Sequence, residues 1–356
     1  MDCKTKTKTK TKTKTNTNAY TYIIFGAKGY IGAFLSHYLR SNGHRVIGYS
    51  VPPRPCNLHT SYDSGSVSDP GEDHFFSHPD DRYYHSTQVP EHDIQEADII
   101  IYLAGSVGRA TCSQQPFSVV YKNNVLDVAD VLNKCSSNQI FIYASTASVL
   151  EGYDTCLGKE DDELNVSAFD EYTLSMHQRE KYINELVCSQ KIKAKRVFGL
   201  RFGTVIGISP CQRFDYVHIG MLKSACLGGV INVVNPNTKR SFLWNKDLSR
   251  VIDALSNQNR ELSGSEDAIH EIYNIASYNC SISDVANAIA EKTGAFIKYN
   301  YRQTNNSSPK GFTMDTTKFT NAFGFKFEGD FNAIFDDLSA NFAKLLNIND
   351  IYTFYG

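Results

Sequence analysis

Tyr22-Ile23-Ile24-Phe25-Gly26-Ala27-Lys28-Gly29-Tyr30-Ile31-Gly32 is the stretch on which the reading of this 356-residue chain turns. The apolar run 22–25 predicts a buried strand, and Gly26, Gly29 and Gly32 follow it at intervals of three. From Tyr30 onward Ile31, Phe34, Leu35, Tyr38 and Leu39 recur at three- and four-residue steps, which predicts a helix. Strand, glycine turn and helix in immediate succession open a dinucleotide-binding βαβ unit. The turn needs residues without Cβ so that bare backbone can approach a pyrophosphate. The helix start then offers unpaired N–H groups and the positive end of its dipole.

Composition sets the bounds. The length suits one large domain and a smaller one. No run approaches the ~18 apolar residues of a membrane helix, and no apolar core follows the N-terminal lysines as in a secretory signal. A cytoplasmic protein with no membrane partner is expected. Nine cysteines, an odd number without C-x-x-C spacing, read as reduced thiols. Ten histidines without an H-x-x-x-H pair indicate no metal site. Lys and Thr alternate over 4–15, so segment 1–20 reads as a disordered tail that can form no core. Setting its six lysines aside leaves an acidic remainder, which argues against a nucleic-acid partner.

Working outward, 45–50 predicts a second strand ending at Ser50, where no carboxylate stands. Segment 52–90 has little periodicity, and only a short helix near 73–77 and a weak strand near 83–86 are expected there. The apolar run 97–105 predicts a fully buried strand, Pro116 starts a helix through Lys134, and 139–144 is a further strand leading into Ser145-Thr146-Ala147-Ser148-Val149. Glu171-Tyr172-Thr173-Leu174-Ser175-Met176 then enters another helix with Arg179 and Glu180.

Taken in order, these motifs resemble the extended form of the short-chain dehydrogenase/reductase superfamily, which contains nucleotide-sugar epimerases, dehydratases and reductases. The spacing G-x-x-G-x-x-G, the 97–105 strand ending in Leu103-Ala104-Gly105, Asn124-Val125, and Ser145 to Val149 all fit. So do 197–207 with Phe202 and Thr204, 240–248 with Arg240, 272–276, and 315–325, so that the resemblance spans about 22–338. It implies an α/β Rossmann-type doubly wound parallel sheet over 21–207 and about 240–275. A smaller substrate domain from 208–239 and 276–356 would complete the chain. A homodimer through the helices 116–134 and 172–187 is implied as well.

The resemblance also implies residue roles. Gly26, Lys28, Gly29, Tyr30, Ile31, Gly32, Ser50, Arg54, Leu103, Ala104, Gly105, Asn124 and Phe202 would meet a nicotinamide cofactor. Ser50 in place of a carboxylate, with Lys28 and Arg54 nearby, favours NADP(H), NAD(H) remaining possible. Tyr172 would be the acid/base, Ser145 or Thr146 the partner of the reacting oxygen, and Thr204, Arg240 and Arg302 ligands of a nucleotide sugar, the last two at its diphosphate. The family pattern is Tyr-x-x-x-Lys, and Met176 stands in the lysine's place. A thioether carries no charge. Lys181 is out of phase with Tyr172, and Arg179 shares its face but lies about two turns along.

Without a cation Tyr172 is expected near its ordinary pKa of ~10, a proton donor rather than a base. That favours reduction of a keto-sugar nucleotide. No acidic residue follows Thr146, which disfavours a dehydratase. A 4-epimerase with bound NAD is the alternative, and a catalytically silent cofactor or nucleotide-sugar binder is the second. Met176 itself is open to three readings: a natural variant of a working enzyme, a lysine replaced to trap a complex, or a mark of lost catalysis.

Overall fold

Alternation along the first strand decides how the chain is layered: Tyr22 and Ile24 are buried on one side, Ile23 and Phe25 on the other. The computed structural model describes residues 19–51, 78–83, 88–153, 156–194, 196–257, 268–300 and 311–346. Elements run β1 (Thr21–Phe25), α1 (Tyr30–Ser41), β2 (Arg45–Ser50), β3 (Arg82–Tyr83), α2 (Glu91–Gln95), β4 (Ile99–Tyr102), α3 (Arg109–Ser113) and α4 (Phe117–Tyr121). A π-helical turn, Lys122–Leu126, leads into α5 (Asp127–Asn133), followed by β5 (Ile140–Thr146), α6 (Glu171–Cys188), β6 (Arg196–Phe202) and β7 (Thr204–Ile206). Then come α7 (Val217–Gly228), β8 (Val230–Val234), β9 (Lys239–Trp244), α8 (Asn245–Asn257), β10 (Ile269–Ile275) and β11 (Tyr278–Ser281). The described chain closes with α9 (Ile282–Thr293), β12 (Phe296–Asn300), α10 (Thr317–Phe323) and α11 (Phe331–Leu346).

Seven strands form one sheet in the order β10-β6-β5-β4-β1-β2-β3, every pair parallel. One face packs Ile99, Ile101, Ile140 and Ile142 under Phe34, Leu35 and Leu39 of α1 and Leu248, Val251 and Leu255 of α8. The other packs Ile100, Tyr102, Phe141 and Tyr143 under Val128, Val131 and Leu132 of α5 and Ile183 of α6. Both faces are covered, which is why these strands read as near-continuous apolar runs. The doubly wound parallel sheet expected from the sequence is the fold. Strand order reverses at β1, flanked by β2 and β4, and the crevice at that switch point is where such sheets take ligands.

Three expectations need correction. The strand foreseen over 97–105 stops at Tyr102, because Gly105 at φ +150° turns the chain off the sheet. The single helix over 116–134 is α4, the π-helical turn and α5, a wider turn that sits at Asn124. Residues 84–86 of the expected strand near 83–86, the helix near 73–77 and residues 1–18 of the tail lie outside the described residues, which include β3 at Arg82–Tyr83.

The third is β9, expected in the main sheet but lying in a separate three-stranded sheet, β11-β9-β7. The chain leaves the main sheet at Gly203, where an added Cβ would stand 2.9 Å from the Ser241 carbonyl oxygen. Phe242 of β9 accordingly joins a smaller core with Ile219, Leu222, Ile231, Val285 and Leu338, while α8 directly after it returns to the sheet.

Candidate active site

The glycine turn is built from close backbone contacts. Gly26, at φ +86°, donates its N–H to the Tyr49 carbonyl at 2.8 Å, and an added Cβ there would lie 3.1 Å from the Ala104 nitrogen. A Cβ on Gly32 would lie 2.1 Å from the Gly26 carbonyl oxygen. Gly29 precedes α1 in extended conformation, and no side chain caps the helix, so its first N–H groups are directed to whatever fills the crevice. Ser50 Oγ accepts the Lys28 backbone N–H at 3.0 Å and ties the end of β2 to the turn.

A cavity of about 640 Å³ extends from this turn. Its wall holds Gly26, Gly29, Tyr30, Ile31 and Gly32 of the turn, Leu103, Ala104 and Gly105 after β4, and Asn124. Ser145, Thr146, Tyr172 and Met176 stand on the same wall, with Phe202 and Thr204 beyond them. Residues far apart in sequence meet because β1, β4 and β5 end side by side and α6 crosses near them.

Ser145 and Thr146 are adjacent in sequence and differently engaged. Ser145 Oγ donates to Glu180 Oε1 at 2.5 Å, and Glu180 receives Arg201 through two nitrogens at 2.9 and 2.8 Å. All three are buried. Thr146 Oγ1 accepts the Ser148 N–H at 3.2 Å and lies beside Tyr172. Desolvation raises the Tyr172 phenol above its ordinary range, while hydrogen bonding by Thr146 and the charge of Arg179 act the other way. Asp170 caps α6 through the Thr173 N–H at 2.8 Å, and Arg109 pairs with both Asp170 and Glu151.

Arg179 departs from its expected place. Its guanidinium does not stand two turns away from the site: it runs back along α6 and forms part of the cavity wall. It donates to the carbonyl oxygens of Asn124, of Ala144 at 2.7 Å and of Ala104 at 3.3 Å. Asn124 in turn holds Ser106 through both its amide atoms and donates to Ser175 Oγ at 2.8 Å.

Other predicted residues are not brought to the cavity wall. Lys28 and Ser50 do not line it; the Lys28 backbone N–H meets Ser50 Oγ beside the turn. Arg240 donates to the Lys239 carbonyl and stacks 4.7 Å from the centre of Phe312, so Phe312 and not Arg240 faces the cavity. Arg54 and Arg302 lie outside the described residues. Sequence reasoning missed Ser106 to Arg109, Val205, Arg213, Tyr216 and Phe312 on the wall. A second glycine pair, Gly105 and Gly108, marked the first of these; nothing in the sequence pattern marked the others.

The chain is similar to known proteins over most of its length. The model of the NAD dependent epimerase/dehydratase family matches residues 22–276. Protein CapI of Staphylococcus aureus is 25% identical over 310 residues, covering 78% of this chain and 85% of that protein. Among solved structures, MoeE5 in complex with UDP-glucose and NAD is 20% identical with a TM-score of 0.72, covering 92% of this chain and 99% of that one. UDP-glucose-4-epimerase from Stenotrophomonas maltophila with bound NAD and formylated UDP-arabinopyranose is 15% identical with a TM-score of 0.73, again covering 92% and 99%. At these identities the structural likeness speaks for the fold.

Proposed function

The chain belongs to the NAD dependent epimerase/dehydratase family, and on that premise we propose that it is a nicotinamide-dependent enzyme of nucleotide sugars that reduces a keto-sugar nucleotide with Tyr172 as proton donor. The observation that carries this is the shared cavity: the bare-backbone glycine turn at one end, and Thr146 beside Tyr172 on the same wall.

The residues fit a dinucleotide. The space that Cβ atoms on Gly26 and Gly32 would fill, and the uncapped start of α1, suit a pyrophosphate. A bound reduced nicotinamide would supply the hydride to the carbonyl carbon. The chain supplies the rest. Tyr172 delivers its phenolic proton to the carbonyl oxygen as that oxygen becomes a hydroxyl, and Thr146 orients it. Burial raises the phenol, so it holds a proton at neutral pH. Ala147 and Ser148, not a carboxylate, follow Thr146, which leaves elimination without an acid at that place. Arg213, on the same wall and paired there with Asp215, is a basic side chain proposed to meet the substrate diphosphate.

NADP(H) is the proposed cofactor, supported by Lys28 beside the turn and by a hydroxyl, not a carboxylate, at the end of β2. Homodimerisation through α4 to α6 is the proposed assembly, supported by Val119 and Leu126, which are exposed there. Light scattering at micromolar concentration reads it, and a monomer mass rejects it.

The family itself favours a second reading, a nucleotide-sugar 4-epimerase with bound NAD. One experiment separates these. The protein and its Tyr172→Phe variant are given reduced cofactor and a 4-keto-sugar nucleotide, then the sugar nucleotides alone. Cofactor consumed with formation of the alcohol, lost in Tyr172→Phe, supports the reductase. Interconversion of epimers without net cofactor consumption replaces it by the epimerase. Cofactor binding with neither reaction leaves a silent binding protein.

A further inference from the structure

Arg179 is 1% exposed, and no carboxylate among the described residues lies within ion-pair distance of it. A buried guanidinium is costly unless its donors are answered. Here they are answered by carbonyl dipoles alone: Ala104 after β4, Ala144 on β5 and Asn124 in the π-helical turn. The ring of Tyr102 lies 5.8 Å below. The neighbouring carboxylate, Glu180, is already held by Arg201. The positive charge of Arg179 is therefore left facing the cavity.

The fold makes room for it. A Cβ on Gly105 would come within 3.0 Å of Arg179 Nη2, so glycine at that position clears the space the guanidinium uses. Helix geometry explains its reach, since long side chains on a helix lie back over the preceding turn, and 179, 176 and 172 follow one stripe. Met176 lies between them, uncharged and buried.

We propose that Arg179 is the positioning cation of this site: its buried guanidinium, held at the carboxyl ends of β4 and β5, sets the charge around the Tyr172 phenol in place of a charge at residue 176. Arg179 acts through Tyr172, and the assignment rests on the reading of Tyr172 as the acid. The other groups facing the phenol are Tyr216 before α7 and Cys112 of α3, both of which oppose its ionisation. Around Arg179 stand Tyr102, Tyr143 and Glu180. Arginine suits the place because its planar fork of donors answers three carbonyl oxygens at once while keeping its charge. On this reading Met176 is one half of an exchange, the charge having moved three residues along the helix.

The test needs no substrate, so it stands or falls apart from the proposed reaction. Fluorotyrosine is incorporated into the full chain, and the Tyr172 signal is assigned by its loss in Tyr172→Phe and titrated by fluorine NMR. Arg179→Met is expected to raise the Tyr172 midpoint by about one pH unit. Met176→Lys combined with Arg179→Met is expected to bring it back toward the natural value. A folded Arg179→Met with an unmoved midpoint overturns the proposal and leaves Arg179 as a brace between strand ends. If Arg179→Met does not fold, Arg179→Gln is titrated in its place: a midpoint about one unit higher supports the proposal, and an unmoved one overturns it.

Discussion

Ser145 Oγ donates to the buried Glu180 at 2.5 Å, and this bond separates two hydroxyls that the sequence presents as equivalents. Ser145 belongs to the Glu180–Arg201 pair; Thr146, which donates to Ser148 Oγ at 3.2 Å, is the hydroxyl beside Tyr172. Thr146→Val should lower turnover about 10²-fold with little change in stability. Ser145→Ala should leave turnover within a small factor and cost about 1–2 kcal/mol of unfolding free energy. Steady-state rates and urea unfolding of the two variants read the contrast. The reverse pattern would assign the oxygen partner to Ser145.

Gly32→Ala places a Cβ 2.1 Å from the Gly26 carbonyl oxygen and 2.8 Å from Ala27 Cα, both backbone atoms that cannot rotate away. The start of α1 must move, and dinucleotide affinity should fall at least ~100-fold, about 2.7 kcal/mol. Gly43→Ala is the control. Its φ is +84° but no atom lies within 4 Å of the added Cβ, so only about 1 kcal/mol of backbone strain is expected. Calorimetric cofactor titration of both variants checks this, and equal affinities would show that the turn does not hold the dinucleotide.

Buried His218 packs on Phe242 and hydrogen-bonds Tyr278 through Nε2, and desolvation lowers its pKa from 6.5 to about 3. The folded chain then holds this imidazole neutral where the unfolded chain protonates it. The unfolded state binds more protons between about pH 3 and 6.5, so stability rises with pH across that window and is lost as pH falls. The loss should be on the order of 3 kcal/mol between neutral pH and about pH 4. His270, lowered to about 4 by the same cause, adds to the slope. In His218→Phe the urea midpoint should vary less with pH across this range, and a variant as acid-sensitive as the natural chain would acquit His218.

Lys28→Ala tests cofactor choice. Loss of one charge-assisted contact to a 2′-phosphate should weaken NADP binding about tenfold, ~1.4 kcal/mol, and leave NAD binding nearly unchanged. Parallel loss for both cofactors would make Lys28 a support of the turn rather than a reader of the phosphate.

What the sequence determined by itself was the local material. Contiguous patterns in 21–50 mark β1, the glycine turn, α1 and β2, because periodicity and the need for bare backbone act between near neighbours in the chain. Motif order carried the parallel sheet and the meeting of Tyr172, Thr146 and Asn124 at one cavity. Tertiary structure decided which of several similar groups does what. Ser145 and Thr146 differ only because Glu180 arrives from α6 beside one of them. Arg179 reads as distant along a helix, yet its side chain reaches back to Ala104 and Ala144, strand ends that only sheet pairing places together. β9 matched its motif but pairs with β7 and β11 in a separate sheet, where Phe242 is buried in a different core. Charge and steric exclusion act through space, and their partners here stand 35 to 75 residues apart in the chain.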